Sequence, residues 1–347
     1  MILQHRKKSR ILIAIAKEEN KRTDITAVSR CKNSIEKVFL KKGIKPETLF
    51  LQQKDFKNTE SLKARISDIN PLYIVNLFEG FSNFPQQEAD FVRLLEDLKI
   101  PFTGNGSLTL LNCLDKMRTK NILKKNNLPV APGFFVRNMK QVKTRRVNFP
   151  LFIKPCREDG SWGVHNDSVV YDRKELFSVI QKRLRFFPQG LLVEEFLPGK
   201  EYSAALIGNS NYKVMGISEI DYSKCHALQK HKRSSCKRHK AVPFLTYEAK
   251  WNHRALNYRL TMPDYTPKIN RTLRRNIISL SKKAAKALGC RGYFRVDFRE
   301  AFGKLFVIDI NPNPDINNDS GYLRLAYGKG YTYAEIIEKI VQLANYH

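Results

Sequence analysis

Apolar and polar residues alternate through the segment from Arg291 to Pro314, the period of a strand with one face buried. Two runs rich in aromatic and β-branched residues flank a short polar stretch containing Gly303, which predicts a β-hairpin. Folded about Gly303, the chain sets Asp297 opposite Asp309. Arg295 and Asp297 then share a face of the first strand, and Asp309 and Asn311 share one of the second. The other face, with Phe294, Val296, Phe298, Phe306, Ile308 and Ile310, is read as core.

The rest of the chain divides by the same reasoning. Short apolar runs predict strands at 11–16, 48–51 and 72–77, with a helix through 34–41 between the first two. A helical period over 85–98 places Ala89, Phe91, Val92, Leu94, Leu95 and Leu98 on one side. Such alternation predicts a small parallel sheet covered by helices over residues 1–105. Two short helices follow, at 107–114 and 116–126, then Pro129, Pro132 and Gly133 mark a break. Strands at 150–155, 191–195 and 201–207 and a helix over 173–185 come next. A helix over 266–288 ends at Gly289, and a last one runs from just after Thr332 to Ala344, with Thr332 and Glu335 at capping-box spacing. Units of 1–105, 106–190 and 191–347 are expected, the first α/β and the other two α+β.

Composition narrows the class. The 347 residues are 42% hydrophobic and contain no apolar run long enough to span a bilayer, so a globular protein without a membrane segment is expected. No small-residue cleavage site follows the first apolar run, and a signal peptide is not expected. Cys31, Cys113, Cys156, Cys225, Cys236 and Cys290 form no framework, which suits a reducing cytoplasm. The net charge of +29 is spread along the chain, without a recognised nucleic-acid-binding pattern. It is read as solvated faces and no nucleic-acid partner is expected, the alternative being a non-catalytic nucleotide- and RNA-binding protein.

Candidate chemistry sits at strand ends and in loops. The hairpin ledge holds two carboxylates, an amide and a guanidinium, a hard-oxygen set suited to Mg2+ completed by phosphate and water. Arg295 can supply positive charge where an anion develops. Glu79, in the turn after the third strand, is a substrate contact or a helix-capping acid. The segment from Arg157 to Val164, with two glycines and Ser161, is a phosphate-covering loop or an ordinary turn. Glu194 and Glu195, paired at a strand end, suit acid–base work, a nucleotide, or solvent. Residues 221–250, with seven Lys or Arg and no acid from Ser223 to Lys240, are read as a basic flap over a polyanion, with a solvated loop or an RNA-contacting patch as the alternatives. His226, His231, His239, Cys225 and Cys236 fall there, but their spacing matches no standard zinc pattern.

Together these motifs resemble the ATP-grasp ligases, and among them the D-alanine–D-alanine ligase family. The likeness is carried by Asp115-Lys116, Phe152-Ile-Lys-Pro155, Glu158-Asp-Gly-Ser-Trp-Gly163, Val193-Glu-Glu-Phe196, Pro198-Gly-Lys-Glu201, Tyr247-Glu-Ala-Lys250, Arg295-Val-Asp297 and Asp309-Ile-Asn311, in family order. It implies two α+β subdomains clasping ATP and a carboxylate–amine ligation through an acyl phosphate. It implies phosphate contacts from Lys116 and Lys154, closed over by the Ser161 loop. Adenine would meet Glu194 and the backbone after it, beside Glu195, and the ribose would meet Glu201. Lys250 would reach the γ-phosphate. Asp297, Asp309 and Asn311 would bind two Mg2+ ions, with Mn2+ a substitute. Arg295 would steady the acyl phosphate, and Ser320 would hold the second substrate's carboxylate. The resemblance also allows a homodimer and a place in peptidoglycan biosynthesis.

Three departures bear on the substrate. Lys17-Glu-Glu-Asn20 stands where the family has a Gly-rich turn ending in an acid, leaving Glu18 or Glu19 to substitute. Asn76-Leu-Phe-Glu-Gly80 replaces a His-Gly segment. Asp315 stands where the ligases carry Gly.

Overall fold

The computed structural model of the chain describes residues 10–17, 23–81, 83–145, 147–231 and 242–344. Strand β1 (Ile11–Ala16) is the middle strand of a parallel sheet, between β2 (Glu47–Leu51) and β3 (Tyr73–Asn76). It is covered on both faces, which is why it reads as an unbroken apolar run. The crossovers are α1 (Thr23–Leu40) and α2 (Thr59–Ile69). The helix expected over 34–41 is thus the second half of a longer one. Helix α3 (Gln87–Asp97) buries Ala89, Phe91, Val92, Leu94 and Leu95, as its period requires.

Helices α4 (Ser107–Leu114) and α5 (Lys116–Lys125) meet at Asp115, whose side chain caps α5 by accepting from Arg118 N at 3.0 Å. A four-stranded antiparallel sheet follows, built from β4 (Gly133–Val136), β5 (Leu151–Pro155), β6 (Val169–Val170) and β7 (Leu191–Glu195) in the order β4-β7-β5-β6. Helix α6 (Arg173–Leu184) seats Leu176 and Ile180 on it. Strand β7 lies beyond the division expected at residue 190, yet pairs between β4 and β5.

The third sheet has β8 (Glu201–Ile207), β9 (Lys213–Ile220), β10 (Tyr293–Ala301) and β11 (Lys304–Asn311) in the order β11-β10-β8-β9. Around it lie α7 (Ser223–His231), α8 (Tyr247–Trp251), α9 (Leu256–Leu260), α10 (Arg271–Leu288), α11 (Gly321–Tyr327) and α12 (Tyr333–Ala344). Helix α10 starts later than the sequence pattern suggested, because Asn270 caps it by accepting from Leu273 N at 2.8 Å. Its other end closes on Gly289 in the left-handed conformation. The Thr332–Glu335 capping box is present at α12: Glu335 Oε2 accepts from Thr332 N at 2.7 Å, and Thr332 Oγ1 from Glu335 N at 3.3 Å. Side chains from β1, α1, β8, α11 and α12 share one core, which ties the first unit to the third.

The β10–β11 hairpin pairs Asp297 with Asp309 and Arg295 with Asn311. Phe302 and Gly303 both have positive φ at its tip, the twist a two-residue turn needs. One expectation fails. The register slips after Asp297, where Phe298 pairs with Val307 and leaves Ile308 as an extra residue. The bulge reverses the alternation, so Leu305 and Val307 enter the core with Phe294, Val296, Phe298 and Ile310. Phe306 and Ile308 instead pack with Ala131, Leu197 and Ala301. Simple alternation cannot foresee a bulge.

Candidate active site

The ends of the second and third sheets open onto a cleft of about 730 Å³. Its walls hold Lys116 from α5, Lys154 from β5, Glu194 and Glu195 from β7, Glu201 from β8, and the ledge of Arg295, Asp297, Asp309 and Asn311. Ser161, Lys250, Asp315 and Ser320 line it as well. Residues far apart in sequence are brought there because strand ends on two sheets face one space. Glu79 lies outside this lining, in a small adjoining recess with Cys31, Glu88, Asn313 and Asp315.

Lys116, Lys154, Glu194, Glu201, Arg295 and Asp297 each have a counter-charge within 3.0 Å. Glu194 lies between Lys154, at 3.0 Å, and Lys120, with which it makes a short ion pair. Burial alone would raise the Glu194 carboxyl, but the two ammonium groups outweigh it and hold the group at about 2. Lys154 also donates to Ile308 O at 3.2 Å, a carbonyl on the bulged residue. Lys116 donates to Glu158 O at 2.7 Å and pairs with Asp159 at 2.9 Å. Burial opposes the Lys116 charge, and Asp159 with Asp309 more than restores it. Arg295 grips Asp297 with two hydrogen bonds of 2.8 Å. Burial would likewise neutralise Asp309, but Lys116, Lys154 and Arg295 keep its carboxyl below the ordinary range.

Two residues that the sequence reading passed over complete the pattern. Lys120 is one turn after Lys116 and shares its helix face. Arg299 continues the Arg295, Asp297 alternation on β10. It binds Glu201 at 3.0 Å, donates to Leu197 O at 2.9 Å and lies 4.1 Å from the Tyr222 ring centroid. Tyr222 Oη donates to the same Glu201 oxygen at 2.9 Å. Both positions follow from helix and strand period.

The loop and the flap interlock. Gly160, Ser161 and Gly163 all have positive φ, and Ser161 is the costly one, since its Cβ disfavours that region. Trp251 Nε1 donates to Gly160 O at 3.1 Å, and Tyr247 N to Val164 O at 3.1 Å. The Trp162 and Tyr247 rings meet edge to face at 5.0 Å. Lys250 reaches solvent through the open cleft but is ringed by protein. That desolvation, with Arg295 beside it, lowers its ammonium below the ordinary value.

Other placements qualify expectations. Glu195 Oε1 accepts from Asn148 N at 2.8 Å and Asn148 Nδ2 at 2.9 Å, so this acid is held by a loop. Ser320 caps α11, accepting from Leu323 N at 3.3 Å. Asp315 Oδ1 accepts from Asn317 N and Nδ2, both at 2.8 Å. Glu18, Glu19, Cys236 and His239 lie outside the described residues. Among the described residues no three or more His, Cys, Asp or Glu side chains converge to hold a metal by themselves. Two carboxylates and an amide on the ledge suit Mg2+ only with phosphate oxygens completing the shell.

Two α+β units closing on a cleft of lysines, acids and a loop with three positive-φ residues define the ATP-grasp class. Residues 122–342 match the family described as D-ala D-ala ligase C-terminus, and the chain belongs to that family. It is an ATP-dependent ligase that forms a C–N bond. A D-alanine–D-alanine ligase of Carboxydothermus hydrogenoformans is 32% identical over 262 residues, covering 72% of this chain and 75% of the relative. An uncharacterized protein, y4sG, of Sinorhizobium fredii is 29% identical over 276 residues, covering 78% and 74%. The Bacillus anthracis D-alanine–D-alanine ligase complexed with ATP superposes with a TM-score of 0.71 at 18% identity, covering 97% of each chain. The VanG D-Ala:D-Ser ligase of Enterococcus faecalis gives 0.72 at 18% identity, covering 97% and 99%. Those two likenesses concern the fold.

Proposed function

We propose that the enzyme joins two amino acids through an acyl phosphate, with D-alanine the leading candidate for both. The observation that carries this reading is the convergence of Lys116, Lys154, Arg295, Asp297, Asp309 and Asn311 on one cleft. The first substrate's carboxylate oxygen attacks the γ-phosphorus of ATP, and ADP leaves. The second substrate's amine then attacks the acyl carbon, and inorganic phosphate leaves with the old carboxylate oxygen.

Lys116 and Lys154 would hold phosphate oxygens, with the Ser161 loop folding over them. Lys250, set beside Arg295 at the cleft, would meet the γ-phosphate as negative charge builds there. Glu194 and the backbone from Glu195 to Leu197 would face adenine, and Glu201 the ribose hydroxyls. Asp297, Asp309 and Asn311 would carry two Mg2+ ions, or Mn2+, which when bound neutralise charge between the β- and γ-phosphates. Arg295 would stabilise the acyl phosphate and the tetrahedral adduct, and Ser320 the acceptor carboxylate. Interlocking of the flap with the glycine loop would keep water from the intermediate.

Asp315 favours a second reading, in which the acceptor is another amino acid or a peptide. Its carboxylate faces the same cleft as Ser320, where it would repel an acceptor carboxylate held close by. Glu79 and Glu88 add acids in the adjoining recess, Glu88 taking a 2.6 Å hydrogen bond from Asn313. Burial pushes the Glu88 carboxyl up to about 8, despite that bond.

The five cysteines among the described residues are free and buried, which suits a reducing cytoplasm. No helix among the described residues is long and apolar enough to cross a membrane. A homodimer and a role in peptidoglycan precursor synthesis complete the proposal. The test is ADP release with ATP and Mg2+, with D-alanine and with other amino acids of both configurations, products read by mass spectrometry. D-alanyl-D-alanine establishes the first reading. A mixed product made only with another acceptor replaces it with the second. No ADP release with any acceptor overturns both.

A further inference from the structure

Two arginines on β10 treat their acids differently. Arg295 closes its fork on both oxygens of Asp297, Nε donating to Oδ1 and Nη2 to Oδ2, each at 2.8 Å. Arg299 lies directly across from Glu201 in the β10–β8 register, yet only its Nη1 reaches the acid, donating to Oε2 at 3.0 Å. Its Nε donates to Leu197 O at 2.9 Å, and its Nη2 to Pro243 O. Tyr222 Oη donates to Oε2 as well, at 2.9 Å, and its ring centroid lies 4.1 Å from Arg299 Cζ. Glu201 lines the ATP cleft, and its Oε1 has no hydrogen bond to a described residue.

A cross-strand pair of opposite charge needs only its two members to steady a sheet. Here the guanidinium is divided among three acceptors, two of them backbone carbonyls, and is 4% exposed. Its planar fork is therefore fixed in place before a nucleotide arrives. Burial and the Glu201 charge push the Tyr222 hydroxyl well above its ordinary value, so it stays a donor. With both donors on Oε2, one oxygen of Glu201 is committed to the protein and the other is left for the cleft. An ionised carboxylate only accepts, so its partner there must donate. A ribose hydroxyl does so.

We propose that Arg299 is a positioning residue for nucleotide binding: anchored on Leu197 O and Pro243 O, it draws Glu201 Oε2 to itself and to Tyr222 and so presents Oε1 to a ribose hydroxyl. The inference rests on the reading that Glu201 meets the ribose. Leu197 closes the backbone stretch proposed for adenine, so one side chain ties the base and sugar contacts together. Tyr222 and Pro243 stand on either side of the acid-free stretch from Ser223 to Lys240, and the same guanidinium meets both. A lysine would keep the ion pair but not all three acceptors, because an ammonium lacks the planar fork.

The test is calorimetric binding of ATP and of 2′,3′-dideoxyATP to the full chain, with Mg2+ and no amino acid. We expect the unaltered chain to favour ATP by ~10-fold or more, the worth of a hydrogen bond to a charged acceptor. Glu201→Ala should bring that ratio close to one. Arg299→Met should weaken ATP by ~10-fold and change dideoxyATP little, whereas a merely structural role would weaken both alike. Arg299→Lys keeps the charge and carries the test if Arg299→Met does not fold; it should lower the ratio at least ~3-fold. Circular dichroism checks the fold of each variant. Equal weakening of the two nucleotides in Arg299→Met, or an unaltered ratio in folded Arg299→Lys, would overturn the positioning role while a collapsed ratio in Glu201→Ala kept Glu201 at the ribose. No preference for ATP in the unaltered chain, or an undiminished one in Glu201→Ala, would overturn the ribose reading and the inference with it.

Discussion

Helix α5 has two faces, and the cations on them live under opposite rules. Lys116 and Lys120 point inward, are each 8% exposed, and have carboxylate partners in Asp159 and Glu194. Arg118, Lys124 and Lys125 point outward and have none among the described residues. The inner pair can stay charged in a buried site only because acids stand beside them. The outer three need no such partner, since water and counterions screen them. One short helix therefore serves both a preorganised cleft and a solvated basic surface.

The largest effect should come from breaking the balance in the cleft. Asp309→Asn removes a carboxylate set among Lys116, Lys154 and Arg295 and takes a hard-oxygen charge from the ledge. We expect turnover to fall by about 10³-fold or more with the fold retained. ADP release and circular dichroism measure the two. Wild-type-like turnover in that variant would refute the role assigned to the ledge.

Next in size is Lys120→Met against Lys124→Met, a contrast within α5. Losing Lys120 leaves Glu194 with Lys154 as its remaining ion-pair partner. Stripping one partner from a buried pair costs about 3–5 kcal/mol, whereas the exposed Lys124→Met should stay within about 0.5 kcal/mol. Acid titration sharpens the comparison. The Glu194 carboxyl is held at about 2 in the folded chain, below its ordinary value. Its charged form therefore stabilises the fold above the ordinary carboxylate range, and that contribution is lost as pH falls toward 2. In Lys120→Met the acid unfolding limb should begin at higher pH. Coincident acid limbs would mean that Lys120 does not hold the Glu194 value down.

Much of this inner arrangement was legible in the chain. Period-two alternation places Asp297 against Asp309, and local motifs mark Lys116, Lys154 and Glu194. What could not be read was long-range or irregular. The slip after Asp297 turns Ile308 toward the cleft side, where its carbonyl meets Lys154, and a bulge has no reliable signature in alternation. The hold of Asn148 on Glu195 depends on a loop whose path the sequence does not encode in any period. Lys120 and Arg299 were within reach, since each repeats the spacing of a residue already singled out. The outer face illustrates a different limit. Charges counted along the chain look dispersed, and the structure shows that nine of them are exposed on α5 and α10, two acid-free helices that pack together.

The smallest expected effect tests that outer face on its own. Lys282→Glu with Lys283→Glu places acids on a helix that has none. If the face were part of the structural framework, the double reversal would lower the melting temperature. Its cations instead repel one another without ion-pair partners, so the reversal should leave stability unchanged or raise it by a few tenths of a kcal/mol. The gain should shrink as salt is added, because screening already weakens the repulsion it relieves. Ligation kinetics should not move, since neither side chain lines the cleft. A loss of stability that salt does not alter would mean that Lys282 or Lys283 has a packing role. The contrast between the compensated and uncompensated faces would then fail on α10, while the cleft chemistry would stand.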